Sequence, residues 1–315
     1  MNGRKTLCKP TSIKIGWRSN INILLFGSNG QLGQSFCRLF KKNNINFTGL
    51  SKKNCDITNN KDLERVLTSE NYDFIINASA YTNVSDAEVN PDIAFKVNDI
   101  AIKNITSFLN KNSSVFIHYS TDYVFDGKKK TPYTEEDSTN PINEYGNSKL
   151  NGEINLKQSD LNYFIFRTSW VYDNKGNNFP NKIVNQAKKG KSIEVIDDQF
   201  GIPNHVDFIS TSTLDCLNKY YKYSAAEKDK SHGVYNLSCN DQTNWFSFAK
   251  YIIDGIYDKS KILYEIKAVK SNIFKSNVKR PQYSVLSNKK IIKQFDIKIP
   301  SWQYYADKYI ESFDE

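Results

Sequence analysis
Tyr145 and Lys149 stand four residues apart in the run Tyr-Gly-Asn-Ser-Lys. In a helix that spacing puts both side chains on one face. A free tyrosine has a pKa of about 10 and is a poor proton donor at neutral pH. A lysine ammonium beside it favours the phenolate and brings the pKa down. Such a pair can pass a proton to a carbonyl oxygen while hydride reaches the carbon. Spacing alone decides nothing in a chain with 19 tyrosines: Tyr257/Lys261 and Tyr304/Lys308 repeat it and read as surface helix pairs.

What sets Tyr145 apart is what precedes it. Residues 118–127 read HYSTDYVFDG and follow Val115-Phe116-Ile117, an apolar run of buried-strand type. The strand therefore delivers Ser120, Thr121, Asp122 and Tyr123 to one place. In parallel sheets, ligands bind beyond the carboxyl ends of the strands. Thr121 is then placed to bond and orient a carbonyl, and Lys149 to hold a nicotinamide ribose as well.

A dinucleotide cradle stands further upstream. The first apolar run leads into Gly27-Ser28-Asn29-Gly30-Gln31-Leu32-Gly33, a G-x-x-G-x-x-G at a strand–helix junction. There Gly27, Gly30 and Gly33 allow a tight turn. The backbone around Asn29, Gln31 and Leu32 approaches a pyrophosphate at the helix N-terminus. At the end of the second strand, Leu50-Ser51-Lys52-Lys53 offers no acid to an adenosine ribose. Ser51 and Lys52 suit a 2′-phosphate, so NADPH is expected, with NADH as the alternative. Asp56 and Ile57 are expected to flank the adenine.

These residues need a scaffold, and the pattern supplies one. Strand-like and helix-like segments alternate from residue 21: a helix over 31–42, a strand over 45–51, a helix over 61–67, a strand over 73–80. Then come a long helix over 91–110, a strand over 114–120, a helix over 143–158 and a strand over 163–172. Alternation of this kind implies an α/β fold, a Rossmann-type doubly wound parallel sheet, joined by a smaller interleaved C-terminal substrate domain. The expected division is an N-terminal extension at 1–20 and an NADP(H)-binding domain at 21–175, with 205–240 returning to it. Residues 176–204 and 241–315 would form that smaller domain. The charged stretch YSAAEKDKSHG reads as a surface loop.

Bulk properties narrow the class. The 315 residues are 39% hydrophobic and 24% charged, with no apolar run long enough to span a membrane. The N-terminus lacks the apolar core of a secretory signal. Five scattered cysteines without a C-x-x-C argue for free thiols in a reducing, cytoplasmic setting, against disulfides or zinc. His118, His205 and His232 show no metal-ligand spacing and read as structural or surface residues; no metal is expected. The net charge of +9 comes without a basic block bearing interleaved aromatics, which argues against nucleic acid and suits a phosphate-bearing substrate.

The order Gly-x-x-Gly-x-x-Gly, Ser-Thr-Asp-Tyr-Val-Phe, Tyr-Gly-x-Ser-Lys is similar to that of the extended short-chain dehydrogenases/reductases. Within them the chain resembles the dTDP-4-dehydrorhamnose reductase family of nucleotide-rhamnose synthesis. The matching stretches are LLFGSNGQLG, INASAYTNVSDAE, HYSTDYVFDG, YGNSKLNGE, FRTSWVY, GNNF, DDQFGIP and RPQYSVL, spread over most of 21–315. The resemblance implies catalytic Thr121, Tyr145 and Lys149. It implies Ala78, Ser79, Ala80 and Tyr81 along the nicotinamide side, with Asn98 and Ser120 nearby. Asp122, Tyr123, Trp170, Asn178 and Arg280 would face the sugar nucleotide. The implied reaction is NADPH-dependent reduction of the 4-keto group of a dTDP- or UDP-linked 4-keto-6-deoxy sugar to nucleotide-L-rhamnose. Alternatives are a bifunctional 3,5-epimerase/4-reductase, with His205 or Tyr81 as the extra acid–base group, and a non-catalytic NADP-binding regulatory subunit. Two departures stand out. Ser35 replaces a glutamate that some relatives use for magnesium at a dimer interface, so a homodimer is not expected to form by that bridge. The usual Val-Asp-Lys-Ala-Glu reads Val84-Ser85-Asp86-Ala87-Glu88.

Overall fold
The computed structural model describes residues 21–110, 114–190, 192–257, 264–274 and 276–313. The extension expected at 1–20, and Lys261, lie outside them. The first half is a regular βα winding: β1 (Ile23–Phe26), α1 (Gln31–Lys42), β2 (Phe47–Leu50), α2 (Asn60–Leu67) and β3 (Phe74–Asn77). β1 and β3 bury every residue, which is why both read as unbroken apolar runs. A short helix not anticipated from sequence, α3 (Val84–Val89), follows, capped by the Asn83 side chain.

The long helix expected from Pro91 is present but not uniform. α4 (Pro91–Phe95) passes through a π-helical turn, Lys96–Ile100, into α5 (Ala101–Ser107). Next come β4 (Val115–Thr121), buried throughout, and α6 (Glu144–Lys157), whose N-cap Asn143 accepts from the Gly146 amide at 2.8 Å. β5 (Asn162–Thr168) ends earlier than its apolar run suggested. Trp170 takes φ +45°, so the chain turns off the sheet, and β6 (Val171–Tyr172) starts a separate strand.

α7 (Phe179–Lys188), β7 (Ser192–Ile196), β8 (Phe200–Gly201) and β9 (Asn204–His205) lead into α8 (Val206–Tyr221). The charged stretch expected to be a surface loop instead holds α9 (Ala225–Ser231). Ser224 and Glu227 form a capping box there, enough to start a helix despite the charge. β10 (Gly233–Asn236) then joins β5. β11 (Thr243–Asn244), α10 (Trp245–Ile256), β12 (Glu265–Val269), α11 (Lys289–Phe295) and α12 (Trp302–Glu311) complete the fold.

The main sheet has the order β10-β5-β4-β3-β1-β2, with every pairing parallel. The chain leaves β1 for β2 on one side and β3 on the other. That reversal opens a crevice at the carboxyl ends of β1 and β3. Alternate strand residues face opposite layers. Leu25, Ile76, Ile117 and Phe166 pack with Phe36 and Phe40 of α1 and Leu214 and Leu217 of α8. Leu24, Ile75, Phe116 and Ile165 pack with Leu63, Ile102 and Leu156 on the other side. Each such side chain contributes about 1.5–3 kcal/mol by leaving water. A separate cluster of Ile183, Ile193, Val195, Ala249 and Ile253 ties α7, β7 and α10 together beside the sheet. Among the described residues no helix is long and apolar enough to cross a membrane.

Candidate active site
The cradle is built by close backbone approach. Gly27 has φ +78°, and a Cβ there would lie 2.8 Å from the Ser79 amide nitrogen. A Cβ on Gly33 would lie 2.0 Å from the Gly27 carbonyl oxygen, so only glycine lets α1 start this near the turn. The helix opens at Gly30 with no capping side chain and no acid in its first turn. Its first amides, at Gln31, Leu32 and Gly33, have no helical acceptor and suit a phosphate. The Asn29 carbonyl accepts from Gln34 Nε2 at 2.8 Å, stiffening the turn. Beyond β2, the Ser51 hydroxyl donates to Asn54 at 2.7 Å, and Lys52 extends into solvent with Asp56 3.8 Å away. Asp56 accepts from the Thr58 amide and hydroxyl, and Ile57 is buried. These residues fit a dinucleotide bearing a 2′-phosphate.

Residues 78–81 leave the end of β3 as a loop held at both ends. Asn77 accepts from the Ser79 amide at 3.0 Å. Asn98, turned inward by the π-helical turn, accepts from the Tyr81 amide at 2.9 Å and donates to the Tyr81 carbonyl and the Ser148 hydroxyl, each at 3.0 Å. Ala78 and Ser79 are half-buried, Ala80 is exposed, and the Tyr81 hydroxyl donates to Asp86.

β4 and α6 carry the residues expected to act as acid and base. The Thr121 hydroxyl accepts from the Tyr123 amide and donates to Asp122, both at 3.1 Å. The Tyr145 phenol lies beside it, and burial pushes Tyr145 up to about 12, not down as a lysine four residues on implies; Thr121 pulls the other way and Asp122 adds to the rise. Lys149 is 2% exposed; burial pushes its ammonium down to about 8, and Glu153 opposes the shift. Burial also works against the Glu153 carboxylate, yet two Arg167 bonds of 2.8 and 2.7 Å hold its pKa below the ordinary value. Ser120 is buried beside this pair. Asp122 is pushed by burial up to about 7.

Two residues here escaped sequence reasoning. His118, read by type as structural, is fully buried with Nε2 3.4 Å from Lys149 Nζ. Ser85 accepts from Arg280 at 3.2 Å. His118 lies in the strand that ends at Thr121, which was the available signal; nothing in the sequence pointed to Ser85 as a partner of Arg280.

The expected substrate residues divide. Tyr123 packs edge-on against Tyr145, with centroids 5.9 Å apart, and its hydroxyl bonds Arg280. Arg280 also borders a cavity of ≈ 700 Å³ rimmed by Lys128, Lys129, Lys130 and Lys279. That size is ample for a nucleotide-linked sugar. Trp170 stacks on Trp245 at 3.5 Å, and a Cβ on Gly201 would meet its ring at 2.6 Å. Asn178 is turned inward: its amide donates to Gln31 Oε1 and to the carbonyls of Asp173 and Lys175, while its oxygen caps α7. Ser35 faces α8, bonded to Asp207 and Ser210.

A phosphate cradle at the sheet's switch point, with a hydroxyl and a Tyr–Lys pair over the neighbouring strand end, defines a nicotinamide-dependent reductase of the short-chain dehydrogenase/reductase class. Comparison with known proteins agrees. The model of the RmlD substrate binding domain family matches residues 21–315, and the chain belongs to this family of dTDP-4-dehydrorhamnose reductases. The dTDP-4-dehydrorhamnose reductases of Salmonella typhimurium and Escherichia coli K12 are 34% and 35% identical to it, each over 90% of this chain and 95% of the relative. The structure of a dTDP-4-dehydrorhamnose reductase from Clostridium acetobutylicum has a TM-score of 0.84 at 30% identity, covering 94% of this chain and 100% of that one. The Bacillus anthracis enzyme, solved in complex with NADP, has a TM-score of 0.81 at 29% identity, covering 93% and 98%.

Proposed function
We propose that the protein reduces the 4-keto group of dTDP-4-dehydrorhamnose with NADPH, giving dTDP-L-rhamnose. The observation that carries this reading is Tyr145 packed against Tyr123 beside Thr121 at the end of β4, with Lys149 buried on the same helix. The bound nicotinamide supplies the hydride. Residues 27–33 would hold its pyrophosphate, Ser51 and Lys52 the 2′-phosphate, and Lys149 the ribose. Thr121 orients the sugar carbonyl and Tyr145 gives the C4 oxygen its proton. With Tyr145 near 12 and Lys149 near 8, both are protonated at pH 7, the state a reduction requires. The cationic rim around Arg280 suits the substrate diphosphate.

A reductase without its own epimerase is favoured by the state of the remaining acid–base groups. Both ring nitrogens of His205 are engaged, with Asn174 Oδ1 at 2.8 Å and the Asp207 amide at 3.2 Å. The Tyr81 hydroxyl is committed to Asp86. Cys55, Cys216 and Cys239 are buried.

NADPH oxidation with dTDP- or UDP-linked 4-keto-6-deoxyglucose, with and without added 3,5-epimerase, tests this. The expected result is turnover with the dTDP sugar that depends on the epimerase. Tyr145→Phe should lower kcat by roughly 10²–10⁴-fold and leave NADPH affinity unchanged. Rhamnose formed without epimerase would establish the bifunctional enzyme instead. Tight NADPH binding with no turnover of either sugar would favour the regulatory subunit.

A further inference from the structure
Lys149 is buried, and its nearest polar neighbour on the sheet side is another buried nitrogen base. His118 Nε2 lies 3.4 Å from Lys149 Nζ, and His118 Nδ1 lies 3.3 Å from Asn77 Nδ2. The pairing is fixed by register, since His118 in β4 sits directly opposite Asn77 in β3. Asn77 is 1% exposed and His118 0%, so water does not reach this chain of contacts from the protein surface.

The proton positions follow by elimination. The Ser79 amide can only donate, and it donates to Asn77 Oδ1 at 3.0 Å. That assigns the Asn77 NH₂ to the side facing His118. His118 Nδ1 must therefore accept. A neutral imidazole accepting at Nδ1 carries its hydrogen at Nε2. The Nε2–H then points at Lys149 Nζ, where a free amine accepts it and an ammonium does not.

We infer that His118 is a positioning residue for Lys149: held by Asn77 in the Nε2–H tautomer, it favours the neutral amine and sets the pH at which the Tyr145–Lys149 pair loses its proton. This rests on the reductase reading of the site. Burial, with Lys149 adding to it, holds the His118 pKa well below its ordinary value, which keeps the ring neutral as the tautomer requires. The other charged and titratable groups are Tyr145 and Glu153, one turn either side on α6, Arg167 of β5 paired to Glu153, and Asp122, just past β4, which acts on Tyr145. Glu153 favours the ammonium. His118 and Glu153 thus act on the lysine in opposite senses. The chain begins at Ser79, in the loop expected along the nicotinamide, so that loop and the Lys149 proton are linked through two side chains.

Two measurements on the full-length protein test this. Long-range ¹H–¹⁵N spectra of histidine-labelled protein at pH 7 need resolve only three rings. The expected result is the Nε2–H tautomer for His118; an Nδ1–H tautomer or an imidazolium overturns the inference, whether or not any sugar is turned over. The second is the pH profile of kcat for wild type, His118→Phe and His118→Gln. His118→Phe should move the alkaline limb up by about one unit, with His118→Gln, whose amide can again donate, returning it toward wild type. An unmoved limb with reduced thermal stability would mean that His118 only fills space. A limb moved down would mean that it accepts from the ammonium. Either overturns the inference. If His118→Phe does not fold, Asn77→Asp replaces it. The carboxylate accepts at both of its oxygens, the His118 hydrogen should move to Nδ1 in the spectrum, and the limb should rise; an unchanged tautomer refutes the elimination above.

Discussion

Replacing Gly33 with alanine probes the cradle where it is tightest. The added Cβ would fall 2.0 Å from the Gly27 carbonyl oxygen and 2.8 Å from both the Gly27 carbonyl carbon and Ser28 Cα. All three are backbone atoms, so no side-chain rotation relieves the overlap. Carbon–oxygen contacts settle at about 3.3 Å or more, so α1 must retreat from the turn by roughly 1.3 Å. A phosphate bond of about 2.8 Å from a first-turn amide would stretch to roughly 4 Å and be lost. Bonds to charged groups are worth about 1.5–3 kcal/mol each. Losing two weakens NADPH by about 3–6 kcal/mol, roughly two to four orders of magnitude in Kd. The strain itself should cost about 1–3 kcal/mol of stability, leaving the protein folded. Calorimetric titration of NADPH, with a melting curve on the same sample, reads both. A folded Gly33→Ala protein that binds NADPH within threefold of wild type would refute the cradle as a phosphate site.

Other substitutions probe the rest of the site. Glu153→Gln leaves Arg167 buried without its counter-charge and should destabilise by about 3–5 kcal/mol in a melt; it should also move the alkaline limb of kcat down, because Glu153 raises the Lys149 pKa. Asp122, raised from 3.8 to about 7, binds its proton more tightly folded than unfolded, so its stabilising contribution is complete below pH 4 and is lost as pH rises through 7. Asp122→Asn should therefore flatten that part of the stability–pH curve, by up to about 4 kcal/mol in denaturant titrations at pH 4 and 8. Gly201→Ala pushes Trp170 off Trp245; losing the stack, about 0.5–1.5 kcal/mol, should raise KM for the nucleotide sugar roughly 2- to 10-fold without changing NADPH affinity.

Legibility in the sequence followed physical range. The helix over 31–42 could be read to the residue because Gly30 and the lysines at its end are local signals. The helix from Pro91 was legible, its π-helical turn was not, since one extra residue hardly disturbs an apolar period. The break at Trp170 lies inside a run that reads as continuous strand; only the later pairing of Val171 with Asn204 pulls it away. α9 lies in a stretch whose charge reads as loop, while the Ser224–Glu227 capping pair is the local signal that starts its helix. Thr121, Tyr145 and Lys149 carry recognisable types at recognisable spacings. His118 beside Lys149, and Ser85 beside Arg280, come from contacts spanning 31 and 195 positions, which no local pattern encodes.

The π-helical turn makes helix length a functional quantity. Such a turn is an insertion: it seats one more residue than an α-helix of equal rise. Removing a single residue from Lys96–Ile100 would restore unbroken α-helical bonding, and by that measure mend the helix. It would also rotate one end against the other by about 100°. Asn98 would swing away from Tyr81 and Ser148, and its carbonyl from Gly152, whose missing Cβ is what lets α6 come so close. The locally more regular helix would belong to a protein both less stable and less active. A deletion scan of this segment, read by melting temperature and by turnover, should lower both, since Ile102 and Ile105 of α5 would also leave the core.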